Sequence, residues 1–388
     1  ASDVYKRQER GTSLPIINPS DPEPPPPTFE LASAMLDGAG RDDLALIMYT
    51  SGTTGAPKGA SLTHGNLLAA SESLRLAWRW TADDGLVLAL PLFHMHGLGV
   101  GVHSCLLTGA RILLLPRFEP LAVLQACSRS DATLFFGVPT MWVRLIDAIA
   151  EDPEQASALR SLRLMVSGSA PLAPAIFDQI ETYTGKTVLE RYGMSETVML
   201  ISNPYDGDRR PGTVGLPLPG VEVRIMAADR EAIAQEVGEI QVRGPNVFPG
   251  YWNRDEATQD AFEVGGWFRT GDLGWRSADD YITIVGRAKE LIITGGYNVY
   301  PREVEEVLEA HPGVAETAVV GVPSREWGEE VAAFVVADTI GEPPAEEALI
   351  AWCCERLANY KRPRRITFID RIPRNAMGKI VRGSLRGL

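Results

Sequence analysis

From Leu44 to about Val223, short apolar runs recur between Gly/Pro punctuation and helical patterns. The runs Leu86–Leu90, Arg111–Leu115, Thr133–Phe136 and Leu162–Val166 are apolar at nearly every position, not at every second one. A strand that is apolar on both sides must be covered on both sides. That demands helices above and below a largely parallel sheet. Pro139–Ile149, with proline at a helix start, supplies one such cover. The expected fold class is therefore α/β, with layered sheets and helices in a large first domain.

Two later patterns differ. From Gly220 to Val285, the strands Glu222–Met226, Glu239–Val242 and Tyr281–Val285 are separated by Gly-rich turns, which predicts a small β-rich subdomain. After Lys289 the chain reads as a separate α+β module. Pro301 opens a helix that puts Val304, Val307, Leu308 and His311 on one face. Strands Glu316–Val322 and Val331–Ala337, a helix Ala345–Asn359 and a strand Ile366–Ile369 follow. The expected domains are a start without pattern (1–41), a core domain (42–288) and a C-terminal module (289–388). Residue 1 is alanine and Asp21–Pro27 is a Pro-rich spacer, so an N-terminally truncated chain is expected, and any upstream targeting peptide is not readable from it.

Bulk properties exclude several classes. A net charge of −13 argues against general nucleic-acid binding. No apolar run reaches the roughly 18 residues of a membrane span. Cys105, Cys127, Cys353 and Cys354 show no C-x-x-C spacing, which disfavours a disulfide framework or structural zinc and favours a reducing, cytoplasmic compartment. The segment Glu355–Leu388 carries ten Lys/Arg against two Asp/Glu. Such a run is either a solvated basic face or an attractor for phosphates.

The densest chemistry lies in Tyr49–Gly59, directly after the apolar run Leu44–Met48, itself read as a buried strand. It holds Thr50, Ser51, Gly52, Thr53, Thr54, Gly55, Lys58 and Gly59. Glycine lets backbone N–H groups approach an anion and adopt positive φ; hydroxyls add donors, and Lys58 adds a point charge. The glycine spacing matches neither a Walker A loop nor G-x-G-x-x-G.

This loop resembles the phosphate loop of the adenylate-forming enzymes, the family of acyl-CoA synthetases, luciferases and peptide-synthetase adenylation domains. Further segments match that family in order: Leu90–Gly97, Phe136–Thr140, Ser167–Leu172, Glu190–Glu196, Thr270–Leu273 with Gly286-Arg287, Gly295–Pro301 and Pro373–Lys379. The resemblance covers roughly residues 42–388. It implies a large N-terminal domain, a mobile C-terminal domain and an acid–thiol ligase using ATP, Mg2+ and coenzyme A, with AMP as product.

Residue by residue, the resemblance implies an adenine-packing loop at Gly168, Ser169 and Ala170. It implies nucleotide contacts from Glu190, Arg191, Tyr192, Gly193 and Ser195. Asp272 and Arg287 would bind ribose or phosphate, and Glu196 would hold Mg2+, a hard cation suited to carboxylate oxygen. Lys379 is the implied catalytic lysine, Lys289 the hinge, and Gly295-Gly296 the lining of the coenzyme A channel. His94 matches a position near the acyl carboxylate. His94 and His96 could instead ligate a metal with His103 or Cys105, but no ligand cluster completes such a site.

Arg191 departs from most of the family, which has a small or uncharged residue there. An arginine facing an acyl pocket is a desolvated, unpaired charge unless the substrate brings a second carboxylate. Otherwise it is a structural partner of Glu190 or another acid. With the run Leu189–Pro219, this resembles malonyl-CoA synthetases, with malonate or methylmalonate as substrate, Arg191 and His96 facing the far carboxylate. Another short-chain acyl-CoA synthetase, a carrier-loading enzyme or an inactive fragment are the alternatives.

Overall fold

The computed structural model describes residues 38–50, 57–338, 343–374 and 380–387. All the elements below belong to one unit, residues 40–388. Among the described residues no helix is long and apolar enough to cross a membrane.

The largest sheet has seven strands: β3 (Gly85–Leu88), β4 (Arg111–Leu114), β5 (Leu134–Gly137), β6 (Leu164–Ser167), β7 (Leu189–Tyr192), β8 (Ile201–Ser202) and β9 (Leu216–Pro217), in the order β4-β3-β5-β6-β7-β8-β9. The first five in that order run parallel, and β8 and β9 add on antiparallel. Alternate residues bury on opposite faces. Leu86, Leu88, Leu134, Phe136, Leu164, Val166 and Leu189 join one apolar cluster, while Val87, Ala89, Phe135 and Met165 join another. This is why these runs are apolar throughout.

The strand ahead of the Gly/Thr-rich segment is different. β1 (Leu44–Thr50) pairs antiparallel with β2 (Lys58–Thr63), and β2 with β13 (Gly250–Tyr251), in a separate three-stranded sheet. Most of β1 is only half-buried, which corrects its reading as a buried strand. One face of an antiparallel sheet can meet solvent, so a short apolar run does not prove full burial.

The β-rich region forms a six-stranded sheet from β10 (Glu222–Ala227), β11 (Arg230–Glu231), β12 (Gly238–Arg243), β14 (Phe262–Glu263), β15 (Trp267–Arg276) and β16 (Ile282–Arg287). The residues after it build their own sheet: β17 (Ile292–Thr294), β18 (Tyr297–Val299), β19 (Val314–Ser324), β20 (Gly328–Ala337) and β21 (Arg365–Phe368). The helix Pro301–Glu309 buries Val304 and Leu308 against it. Glu305 is buried too, which an apolar pattern does not anticipate. Its charge is met by Arg382 at 2.5 Å and by the Val319 N–H at 2.8 Å. The two apolar clusters of this module draw only on residues from Ile292 onward, and the two earlier clusters only on residues up to Ile284.

Part of the basic tail is neutralised within the fold. Arg356 pairs with Glu355, Lys361 with Glu303, Arg374 with Glu316, and Arg382 with Glu290 and Glu305. Except for Glu355, these acids come from other segments, which a count over the tail alone misses.

Candidate active site

Four of the matched segments leave the carboxyl ends of adjacent parallel strands. Leu90–Gly97 follows β3, Val138–Thr140 follows β5, Gly168–Leu172 follows β6 and Gly193–Glu196 follows β7. Side chains at this edge converge on one crevice, the usual ligand position of an open α/β sheet.

On β7, successive side chains point to opposite faces, which separates Glu190 from Arg191. Glu190 accepts hydrogen bonds from the Leu172 and Gly212 N–H groups, both at 3.2 Å, and burial pushes its carboxyl up to about 7. Here it ties two loops together, and it does not neutralise Arg191. Arg191 is 5% exposed, and among the described residues no carboxylate charge offsets its burial. Its Nε and Nη2 find no hydrogen-bond partner there. Burial alone pulls the guanidinium down to about 9, still well above neutrality, so the cation persists at pH 7.

The surroundings of Arg191 are built to admit it. A Cβ on Gly168 would stand 2.5 Å from its Nε and Cζ, so only glycine leaves the guanidinium its space. His96 is also buried, its Nδ1 is 3.3 Å from Ser169 Oγ, and its Nε2 lacks a partner among the described residues. Burial, then the neighbouring charge of Arg191, holds His96 well below its ordinary value, so it is neutral at pH 7. His96 opens a widened π turn, His96–Val102, a helix variant common at functional sites. Behind it, Phe136 stacks at 6.0 Å, and Trp78 and Trp80 each pack edge-on against Phe136 at 5.6 Å. His94 lies on the preceding loop, its ring 4.5 Å from that of Phe93.

A second cluster gathers Tyr192, Asp272, Arg287 and Glu196. Asp272 and Arg287 are direct cross-strand partners on β15 and β16, joined by an Nε–Oδ1 contact of 2.9 Å. The Tyr192 hydroxyl donates to the other oxygen, Asp272 Oδ2. Asp272 is thus a strand residue with both oxygens engaged, though a carboxylate keeps further lone pairs for hydroxyl donors. Glu196 is 6% exposed and accepts from the Tyr251 hydroxyl at 3.0 Å. Burial raises its carboxyl above the ordinary range, Arg287 opposes that rise, and Asp272 adds to it. Nearby backbone is held in unusual geometry. Val198 at φ +60° and Ser169 at φ +72° are non-glycine residues in the left-handed region, where strain collects at functional loops. Gly193 approaches the Val198 carbonyl so closely that a Cβ would lie 2.3 Å from it.

The remaining expected residues fall elsewhere. Thr50 and Lys58 are paired across the β1–β2 hairpin, with Thr50 Oγ1 donating to the Lys58 carbonyl at 3.3 Å. Ser51, Gly52, Thr53, Thr54, Gly55 and Lys379 lie outside the described residues. Lys289 is exposed in a single 3-10 turn, Ala288–Glu290. Gly295 and Gly296 form the two-residue turn of the β17–β18 hairpin with φ of +56° and +82°. That turn alone demands glycine, whatever else the segment does. Among the described residues no group of three or more His, Cys, Asp or Glu is arranged to hold a metal, so His94, His96, His103 and Cys105 do not form one. Sequence reasoning missed Tyr251 and the Gly168–Arg191 contact. The only signal for Tyr251 was a Gly-Tyr pair within the β-rich stretch, which carries no chemistry by itself.

A model of the AMP-binding enzyme family matches residues 6–252, and one of the AMP-binding enzyme C-terminal domain matches residues 303–379. The chain is 42% identical over 368 residues to a probable CoA ligase from Humulus lupulus, covering 88% of this chain and 61% of that relative. It is 38% identical over 397 residues to a malonate–CoA ligase from Arabidopsis thaliana, covering 96% of this chain and 65% of the relative. ATP-bound MatB from Rhodopseudomonas palustris has the same fold, with a TM-score of 0.85 at 45% identity over 90% of this chain and 68% of that one. The chain therefore spans slightly less than two thirds of the length of the two curated relatives.

Proposed function

The chain belongs to the AMP-binding enzyme family, and from that premise we propose an ATP-dependent acid–thiol ligase. It activates malonate, or methylmalonate, as the acyl-adenylate with release of pyrophosphate. It then transfers the acyl group to coenzyme A with release of AMP. The observation that carries the choice of acid is Arg191. Its buried guanidinium has unspent donors beside the unspent Nε2 of His96. A carboxylate that pairs with the guanidinium and accepts from His96 removes both deficits. A fatty or aromatic tail removes neither. The aromatic packing of Phe136, Trp78 and Trp80 behind His96 also favours a short acid.

The first half-reaction brings a carboxylate oxygen to the α-phosphate of ATP. Two like charges about 4 Å apart repel by roughly 1 kcal/mol in water and roughly 4 kcal/mol at an effective dielectric near 20. The residues proposed to offset this are the donors of the Thr50–Lys58 loop, Arg287 and Lys379, aimed at the charge as it develops. Tyr192 would pack on adenine, and Asp272, held by Arg287 and Tyr192, would accept from ribose hydroxyls. Glu196 fits Mg2+, since it is a buried carboxylate near a second one, Asp272, and Mg2+ takes one or two carboxylates together with phosphate oxygens and water. Bound there, Mg2+ would neutralise triphosphate charge. For the second half-reaction, the module after Lys289 would turn about that residue, withdraw Lys379 and present Gly295-Gly296 to the pantetheine arm. The separate apolar clusters on either side of Lys289 support such a rotation. A reducing, cytoplasmic setting is consistent with four free thiols.

The test is AMP release with coenzyme A and a panel of acids. Malonate or methylmalonate should lead the panel, and Arg191→Gly should lose roughly 2–5 kcal/mol of that preference, the range for truncating one side of a buried charge pair. Full malonate activity in the variant would remove the reading.

A further inference from the structure

Tyr251 touches two parts of the candidate site at once. It lies on β13, whose pairing with β2 (Gly250 with Ser61, Tyr251 with Ala60) ties it to the strand that closes the phosphate loop. Lys58 Nζ stands 4.9 Å from the centroid of its ring. Its hydroxyl donates to Glu196 Oε1 at 3.0 Å. The ring itself is braced edge-on by Phe248 at 4.9 Å, and the Phe248 N–H donates to the Glu196 carbonyl at 2.9 Å. Phe248 thus fixes both the backbone of Glu196 and the ring that holds its side chain.

We infer that Tyr251 is a positioning residue for the metal carboxylate. A carboxylate held at one oxygen loses its freedom to spin about its terminal torsion, so the other oxygen meets a divalent cation in one orientation. Because the same residue is paired to β2 and lies under Lys58, it also sets the spacing between that carboxylate and Lys58. Partners of this kind, one bond removed from a metal, typically govern its affinity 10- to 100-fold. The inference rests on the proposed role of Glu196.

Tyr251→Phe isolates the hydroxyl, since the ring keeps its contacts with Phe248 and Lys58. Mn2+ serves as a paramagnetic probe, titrated by electron paramagnetic resonance into the protein with a non-hydrolysable ATP analogue. Thermal melts establish that each variant is folded. Tyr251→Phe should weaken Mn2+ about 10- to 100-fold and Glu196→Gln at least as much. Excess Mg2+ should restore adenylation to Tyr251→Phe with the KM for the acid unchanged. Unaltered Mn2+ affinity in Tyr251→Phe, with affinity lost in Glu196→Gln, would leave Tyr251 a packing residue and overturn the inference. Unaltered affinity in Glu196→Gln would instead overturn the metal role of Glu196, and the positioning role with it.

Discussion

Replacing Arg191 with methionine separates two accounts of a buried cation. Methionine keeps an unbranched apolar stem, shorter than arginine by the guanidinium end, and removes the charge. Burial has pulled the guanidinium down to about 9. At about 1.4 kcal/mol per pH unit, that fall corresponds to a desolvation cost on the order of 4–5 kcal/mol in the ligand-free protein. The sign follows from proton binding. A base lowered by folding binds fewer protons in the native state above about pH 9, so stability rises with pH there. Below that, the cost is carried in full. At pH 7 the ligand-free Arg191→Met protein should therefore be as stable as wild type or more stable, by about 1–4 kcal/mol, as found when buried charges yield to apolar groups. Malonate should reverse the order. It should stabilise the wild type and not the variant, and kcat/KM for malonate should fall by roughly 2–5 kcal/mol while propionate loses little. Urea unfolding with and without malonate, and AMP release with both acids, read these outcomes. A variant several kcal/mol less stable than wild type that still selects malonate would refute the reasoning, because the arginine would then be serving the fold.

Three further outcomes are expected. Gly168→Ala would set a Cβ 2.5 Å from the Arg191 guanidinium, and should raise the malonate KM about tenfold or more, on the order of 1.4 kcal/mol; measurement of KM for malonate and for ATP separates this from general damage. Lys379→Ala should block adenylation, followed by pyrophosphate exchange, yet leave thioester formation from supplied malonyl-adenylate nearly intact; equal loss of both would disprove the division of labour. Glu190 is raised to about 7, so the native state holds an extra proton between about pH 4.5 and 7 and loses stability as pH rises through that window. Glu190→Gln should flatten that slope, by roughly 2–4 kcal/mol across it, in denaturant unfolding followed against pH.

The fold was largely legible because its evidence is local. The apolar runs behind β3, β5 and β6 lie close to their expected bounds, since both faces of those strands are buried and nearly every position must be apolar. The helix opened by Pro301 lies where capping and periodicity put it. β1 escaped because a half-buried antiparallel strand and a fully buried parallel one look alike over seven residues. Arg191 could be singled out as an unusual charge, but whether Glu190 neutralised it was open. The two are neighbours in sequence and could pair only if the backbone were not extended.

Sequence alone determined the alternation that makes the α/β sheet, the glycines that permit tight loops, and the inventory of groups able to meet phosphate and carboxylate. These depend on residue type and spacing along the chain. The tertiary structure decided which groups are already satisfied. It turned Glu190 to the Leu172 and Gly212 amides, matched part of the basic tail with distant acids, hung Glu196 on the Tyr251 hydroxyl, and left nitrogens of Arg191 and His96 without partners among the described residues. Satisfaction of a buried polar group depends on neighbours brought in from far along the chain, and no local pattern carries that information.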